Sequence, residues 1–451
     1  MIAKKSLQYV CNNCGAITAS WSGKCMTCGE WNSLQEEAII VSASAVKTAR
    51  RSSLKIIPAQ AASKTDDAKR IQTGINDVDT VLGGGLVAGS VTLIAGQPGI
   101  GKSTLLLQIA AGVAKHYPIL YVSGEESAHQ VGLRARRLGV EKAPIQMATS
   151  TSAEDIAATI TKEDFAVVIV DSIQTLTVES VASTAGTVSQ ITNSTHLLTT
   201  VAKQKNTAVI LVGHVTKEGS IAGPKVLEHV VDTVLQLEGD RYGGFKLLRS
   251  IKNRFGSTNE TGIFEMKDNG LAEVTNPSAA LLAERQVSDG SVVLATMEGS
   301  RALLVEVQAL VNKTSYGYPK RAASGIELNR LNLLIAMLER RTKLNLSDQD
   351  IYINIVGGIK ITEPGADLAI CMAIASASKG MQLKSNAVVF GEVGLSGEVR
   401  HVPFAERRIA EAAKLGFDVA IGPKISTQSK KTTILQPVSD ARSALNKYLE
   451  I

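Results

Sequence analysis

Aromatic residues are scarce: Phe, Trp and Tyr together make up 4% of the 451 residues. Extensive base-stacking platforms are therefore not expected. No uninterrupted apolar run reaches the roughly 20 residues of a membrane-spanning helix. The N-terminal stretch MIAKKSLQYVCNNC has no apolar signal core. The expected location is the reducing cytoplasm, with no membrane contact. Cysteine is also sparse, and four of the five lie within the first 28 residues. In a reducing compartment such a cluster points to a metal rather than to disulfides. Nor is charge of one sign in large excess: 48 Lys and Arg against 42 Asp and Glu leave +6. That balance permits nucleic-acid binding without demanding it.

What is present divides the chain by composition. Residues 1–35 form a cysteine module, and 36–67, rich in Ala, Ser and Lys, read as a linker. Residues 68–275 alternate apolar strand-like runs with helix-length segments. The runs Val91–Ala95, Ile119–Val122, Val167–Val170, Ala208–Val212 and Thr233–Leu237 are short and apolar on both faces. That is the pattern of a parallel sheet covered by helices on both sides. The pattern restarts in 285–451, with SVVLATMEG, ALLVEVQALV, the helical LNRLNLLIAMLERR and the strand-like YINIVGG, which predicts a second α/β domain.

The segment Gly96-Gln97-Pro98-Gly99-Ile100-Gly101-Lys102-Ser103-Thr104 fits G-x-x-x-x-G-K-[ST] between a predicted strand and a predicted helix. Glycines let successive backbone N–H groups face a phosphate, and the helix N-terminus adds positive dipole. Lys102 is expected to reach the β- and γ-phosphates, Ser103 to hold Mg²⁺ and Thr104 to contact the α-phosphate. The run Val167–Val170 ends in Asp171, the position from which a P-loop enzyme holds the Mg²⁺ shell. Tyr121-Val-Ser-Gly-Glu125-Glu126 ends another strand-like run. Glu125 is the candidate base for the attacking water, with Glu126 the alternative; capping of a helix that starts at Ser127 is the competing use of the same acids.

Cys11-x-x-Cys14 and Cys25-x-x-Cys28 form two knuckles, with Gly15 and Gly29 directly after the second cysteine of each. Two such pairs complete a tetrahedral, closed, structural Zn²⁺ site; iron in a rubredoxin-like site is the lesser reading. Trp21 and Trp31 flank the module, either as contact residues or as packing.

Three stretches carry a resemblance. Thr73-Gly-Ile-Asn-Asp-Val-Asp79 with Leu82-Gly-Gly-Gly85 resembles the lead-in to RecA-type ATPase cores, and Lys252-Asn-Arg-Phe-Gly256 resembles the signature of the bacterial RadA (Sms) family. The tail is similar to the Lon protease domain, through Gly357–Leu368 and Gly391–Glu398. The resemblance implies an ATP-dependent branch-migration motor in recombination and DNA repair, a homo-oligomer similar in architecture to hexameric helicases. It also implies single-stranded and branched DNA and a RecA-type recombinase as partners, and ATP as the nucleotide. By it, Lys252 and Arg254 reach a neighbouring subunit's ATP, and His214 is a γ-phosphate sensor. The stretch Thr216–Lys225, with Lys217 and Lys225, would be a central-channel DNA loop, and Glu179–Gln190 a second one. From the residues alone, Lys252 and Arg254 read as one exposed face of a strand.

In the Lon-like tail the nucleophile's place, directly after Pro364, is taken by Gly365. The lysine base's region reads Phe404-Ala-Glu-Arg-Arg408, and a guanidinium cannot act as a base at working pH. The catalytic dyad is thus expected to be missing and the domain to be a scaffold, with Lys313, Lys320, Arg321 and Arg330 as possible DNA contacts. A signalling or scaffold ATPase, and a protease, are the competing functional classes.

Overall fold

A computed structural model describes residues 6–11, 16–18, 20–39, 70–214, 226–239, 245–315, 317–383, 386–425 and 433–449. The chain divides into two compact units, Met1–Arg241 with Lys246–Glu273, and Tyr242–Phe245 with Val274–Ile451. Among the described residues no helix is long and apolar enough to cross a membrane.

The N-terminal end of the first unit is a small three-stranded sheet. Strand β1 (Ser6–Cys11) pairs antiparallel with β2 (Ile17–Thr18) and β3 (Leu34–Ile39). Among the described residues its buried cluster is Cys11, Cys25 and Leu34, with Tyr9 and Ala16 packed against it. Modules this small normally rely on a metal or disulfides for stability.

The rest of the first unit is built on a nine-stranded sheet. Its strands are β4 (Val91–Gly96), β5 (Ile119–Ser123), β6 (Gln146–Thr149), β7 (Val167–Asp171), β8 (Ala208–His214), β9 (Thr233–Gly239), β10 (Phe245–Asn253), β11 (Thr261–Lys267) and β12 (Gly270–Glu273). They lie in the order β12-β11-β10-β9-β4-β8-β7-β5-β6. All five strand-like runs read from the sequence are strands, and they run parallel to one another. Alternate residues feed two separate cores. Ile94, Tyr121, Ile169 and Ile210 pack with the helix Lys102–Ala114, while Leu93, Leu120, Val168 and Leu211 pack with Ala153–Lys162 and Val188–Lys205. Both faces are covered, which is why these strands carry no polar alternation.

The sheet departs from the wholly parallel expectation at one side. β10 runs antiparallel to β9, and β11 and β12 form an antiparallel pair. These strands are joined by short connections that cannot make the crossover a parallel pairing needs.

The second unit holds a seven-stranded sheet of β13 (Ser291–Glu298), β14 (Arg301–Lys313), β15 (Arg321–Ser324), β16 (Gln349–Ile355), β17 (Ala387–Val389), β20 (Val419–Gly422) and β21 (Ile434–Pro437), in the order β15-β16-β14-β13-β17-β20-β21. A separate short pair is β18 (Glu392–Val393) with β19 (Val399–Arg400). The helix Asp367–Lys379 is apolar nearly all round and almost wholly buried. The Leu328–Thr342 helix instead carries one buried stripe, Leu331, Leu334, Ile335 and Leu338, as its i, i+3, i+4, i+7 spacing requires.

Candidate functional site

The loop Gly96–Gly101 links the end of β4 to the helix Lys102–Ala114. Gly99 and Gly101 hold φ of +78° and +115°, left-handed values that only glycine adopts without strain. This conformation lets the loop curl back over the helix N-terminus. Lys102 is 5% exposed, and its ammonium donates to the carbonyls of Gly96 (2.9 Å) and Gln97 (3.1 Å). Burial lowers the Lys102 pKa, while the charges of Asp171 and Glu125 push it back up. One buried cation thus stands within electrostatic reach of two carboxylates, in a loop whose backbone suits a phosphate chain. Ser103 and Thr104 follow in the first turn of the same helix, Thr104 buried and Ser103 partly so.

The carboxylates arrive from adjacent strands. In the β5–β7 pairing Ser123 lies opposite Asp171, and the Gly124 amide donates to the Asp171 carbonyl at 2.8 Å. Asp171 accepts a 2.8 Å bond from the Tyr121 hydroxyl, and Glu125 accepts one from the Ser172 hydroxyl. Burial, then the Asp171 charge, raise the Tyr121 pKa well above its usual value, so it stays a donor. Glu126 turns elsewhere, forming a 2.5 Å ion pair with Arg134. Capping of the next helix falls to Ser127, whose hydroxyl accepts from the Gln130 amide. The two acids are therefore divided: Glu125 faces the Asp171 end of the site and Glu126 serves the helix. Tyr121 and Ser172 were not singled out from the sequence. A tyrosine within a strand and a serine after an aspartate carry no signal until the strands are paired.

His214 ends β8, and its backbone stands beside Gly96 in register. Lys217 and Lys225, with the rest of Thr216–Lys225, lie outside the described residues, as does nearly all of the 36–67 linker. The Glu179–Gln190 stretch is tied down by its last residue. Gln190, 2% exposed, accepts from the Val178 amide at 2.7 Å and donates to the carbonyls of Val181 and Ser183, each at 2.9 Å.

Lys252 and Arg254 are far from the phosphate loop of their own chain. Thr233 lies opposite both Thr92 and Asn253, whereas Gly96 lies opposite Leu237. Four residues of strand, roughly 13 Å at 3.3 Å each, separate the two ends. A register shift at Ser250–Lys252 breaks the regular strand face expected there. The Lys252 ammonium donates to the carbonyls of Glu228 (2.5 Å) and Val231 (2.8 Å), and Arg254 pairs with the buried Asp232 at 2.9 Å. Asn253 and Gly256 do something else: Asn253 donates to the Leu82 carbonyl at 3.2 Å, and a Cβ on Gly83 would come within 3.2 Å of the Gly256 Cα. The Lys252–Gly256 and Leu82–Gly85 motifs, separate in sequence, are one packed unit.

In the cysteine module, Cys11, Cys25 and Cys28 bring their sulfurs within 4.8 Å of one another. The Cys11 and Cys28 sulfurs are 3.7 Å apart. Thiolates on a tetrahedral Zn²⁺ at 2.3 Å are separated by about 3.8 Å, so the spacing fits the metal. Gly29 has φ +76° and donates its amide to the Cys25 carbonyl at 2.8 Å, which closes the second knuckle. Cys14 and Gly15 lie outside the described residues. Trp21 and Trp31 are 58% and 67% exposed, so they are not buried packing of the module. The Lys24 ammonium sits 5.6 Å from the Trp31 ring centre.

The Lon-like motif folds around an ion pair. Arg408 is fully buried and forms a two-pronged bond with Glu363 (2.8 and 2.6 Å), plus a 2.6 Å bond to the Ala295 carbonyl. Burial raises the Glu363 pKa, but the Arg408 bonds outweigh it and hold the carboxyl below its usual value. A Cβ on Gly365 would come within 3.2 Å of Glu363 and 3.4 Å of Arg408. Among the other cations named from the sequence, Arg330 is bound to the buried Asp367, and Arg321 to the carbonyls of Leu346 and Gln349. Lys313 and Lys320 are exposed.

Comparison with known proteins agrees with each part. Residues 71–272 match the family model described as ATPase: KaiC, and 9–36 match a rubredoxin metal binding domain. Residues 330–426 match subunit ChlI of Mg-chelatase. The DNA repair protein RadA of Aquifex aeolicus is 46% identical over 444 residues, covering 98% of this chain and 99% of that one. The chain belongs to the RadA family. The RadA proteins of Pseudomonas aeruginosa (46% identical; 98% of each chain) and Bacillus subtilis (47%; 94% of this chain, 93% of that one) agree. A solved structure described as the RadB recombinase aligns at 22% identity over 45% of this chain, with a TM-score of 0.37, too low to add to the family assignment. A RecA-like ATPase core that takes ATP and Mg²⁺, a zinc ribbon and a Lon-like tail are the parts of this RadA-family chain, which places it in DNA repair.

Proposed function

We propose that the chain is an ATP-driven DNA motor that drives branch migration of recombination intermediates, acting as a hexameric ring on single-stranded DNA in the cytoplasm. The observation that carries this reading is the placement of Lys252 and Arg254 at the sheet end opposite their own phosphate loop. That distance supports a role at another subunit's site, where a cation supplied in trans stabilises charge on the transferring phosphoryl group and makes hydrolysis depend on assembly. In this reading Lys102 neutralises the β- and γ-phosphates. Ser103 and Asp171 hold Mg²⁺, which supplies charge neutralisation when bound. Glu125 takes the proton of the attacking water, and His214 senses the γ-phosphate. The Glu125 assignment over Glu126 is supported by the Glu126–Arg134 pair, which occupies the alternative base.

Cys11, Cys14, Cys25 and Cys28 hold a structural Zn²⁺. Thr216–Lys225 and Glu179–Gln190 contact the DNA backbone without reading bases, so binding weakens steeply with salt. A RecA-type recombinase is the protein partner. The division into 1–35, 36–67, 68–275 and 285–451 belongs to the same reading, as does a tail that hydrolyses no peptide: a glycine stands at the nucleophile's place and the nearby Arg408 is locked to Glu363. A signalling ATPase remains the second reading, because the matching ATPase model is described by KaiC.

The test is a junction-shifting assay on a three-stranded DNA intermediate. Wild-type protein with ATP moves the junction; Lys252→Ala binds the same DNA but does not move it. Full migration by Lys252→Ala removes the trans role, and no migration by wild type removes the motor.

A further inference from the structure

We propose that two hydroxyls divide the positioning of the site's carboxylates between them: Tyr121 holds Asp171, and Ser172 holds Glu125. This rests on the reading of Asp171 as the Mg²⁺ carboxylate and Glu125 as the general base.

The two bonds cross between neighbouring strands. Tyr121 stands on β5 and its hydroxyl reaches Asp171, the last residue of β7, at 2.8 Å. Ser172 follows β7 and its hydroxyl reaches back to Glu125, just beyond the end of β5. Each strand thus carries one carboxylate and the hydroxyl that holds the other strand's carboxylate. Tyr121 and Ser172 are 1% and 0% exposed, so neither hydroxyl is placed for bulk water. The backbone is fixed around them as well. The Gly124 amide donates to the Asp171 carbonyl at 2.8 Å, and the Thr175 hydroxyl donates to the Ser172 carbonyl at 2.8 Å. A Cβ on Gly124 would lie 2.1 Å from the Thr175 hydroxyl, so the Gly124–Thr175 contact is closed to any side chain.

A carboxylate tethered at one oxygen loses most of its rotamer freedom and keeps one plane. For Asp171 that plane sets where the metal shell sits; for Glu125 it sets where the water proton is received. As base, Glu125 takes one proton from water while the water oxygen bonds to the γ-phosphorus and the bond to the ADP oxygen breaks. Separate tethers have a separable consequence. Losing one hydroxyl disturbs one role and leaves the other in place. Both residues touch carboxylates rather than the reacting atoms, so they are positioning residues.

The experiment is steady-state ATP hydrolysis by full-length wild type, Tyr121→Phe, Ser172→Ala, Ser172→Thr and Glu125→Gln, over an ATP series and a Mg²⁺ series. Nucleotide affinity serves as the check on folding. Ser172→Ala is expected to lower kcat roughly tenfold with KM unchanged. Its Mg²⁺ half-saturation stays at the wild-type value, and Ser172→Thr, which keeps a hydroxyl, restores most of the lost kcat. Tyr121→Phe is expected to raise the Mg²⁺ half-saturation several-fold. Adding Ser172→Ala to Glu125→Gln costs no further activity, since the tether then has no base to hold. If Glu125→Gln turns over normally, the base assignment falls first. If Glu125→Gln is inactive while Ser172→Ala behaves as wild type, or if both tether variants move the same parameter, the division of roles is overturned.

Discussion

In the proposed mechanism hydrolysis depends first on Lys102. Its ammonium is buried in its own loop and bonded to two loop carbonyls, so in the free protein it is already placed where a β-phosphate would replace those carbonyls. Lys102→Ala is expected to lower ATP turnover by on the order of a hundredfold or more, measured by phosphate release; near-normal turnover removes the phosphate-site assignment. A different residue pair carries stability. Glu363 and Arg408 form an ion pair whose guanidinium is fully buried, and removing Glu363 leaves that charge without its partner. Glu363→Ala is expected to destabilise the second unit by about 3 kcal/mol, read by denaturant unfolding of the full chain. Replacing both by apolar residues of similar volume should cost less than the single change. The pair also sets a pH dependence. The Glu363 pKa is depressed in the fold. Its contribution is therefore fully present above the ordinary Glu value of about 4.3. It is lost as pH falls toward and through the depressed folded value. In Glu363→Gln that acid-side loss should shrink.

At the scale of elements, the helix Lys102–Ala114 is locked against the chain that precedes β4. A Cβ on Gly112 would stand 1.9 Å from the Thr73 carbonyl oxygen, which is backbone and cannot swing aside. Gly112→Ala is expected to destabilise the first unit by about 3 kcal/mol and to lower nucleotide affinity with it; a thermal midpoint equal to wild type contradicts that close packing. Much at this scale was legible in the sequence. The five central strands announce themselves because both faces are buried, so they read as unbroken apolar runs. β6, with sequence QMAT and every residue exposed, has no such run to read. The antiparallel β10–β12 side was missed because nothing in an isolated apolar run tells which way it points. The phosphate loop and the cysteine knuckles were legible because their ligands are neighbours in sequence. The Tyr121–Asp171 bond, 50 residues apart, and the Arg408–Glu363 pair, 45 apart, exist only once the strands and helices are assembled. Gly365 and Arg408 were read as a missing dyad, but that the guanidinium would be buried against Glu363 was not visible.

Across the assembled protein, the proposed mechanism places two halves of one site on opposite ends of a sheet. In the proposed mechanism the chain hydrolyses ATP well only when a neighbour brings its Lys252 and Arg254. Mixing the inactive Glu125→Gln and Lys252→Ala proteins should therefore restore turnover at the interfaces that combine an intact Glu125 with an intact Lys252, whereas two defects acting within one chain would show no rescue. The central claim is that this hydrolysis is harnessed to DNA. Its most direct measurement is steady-state ATP hydrolysis by the zinc-loaded protein, with and without single-stranded DNA, across a salt series. A rate that rises with DNA and loses that rise as salt increases is the predicted result. Equal rates with and without DNA at every salt concentration would contradict the motor and leave a signalling or scaffold ATPase.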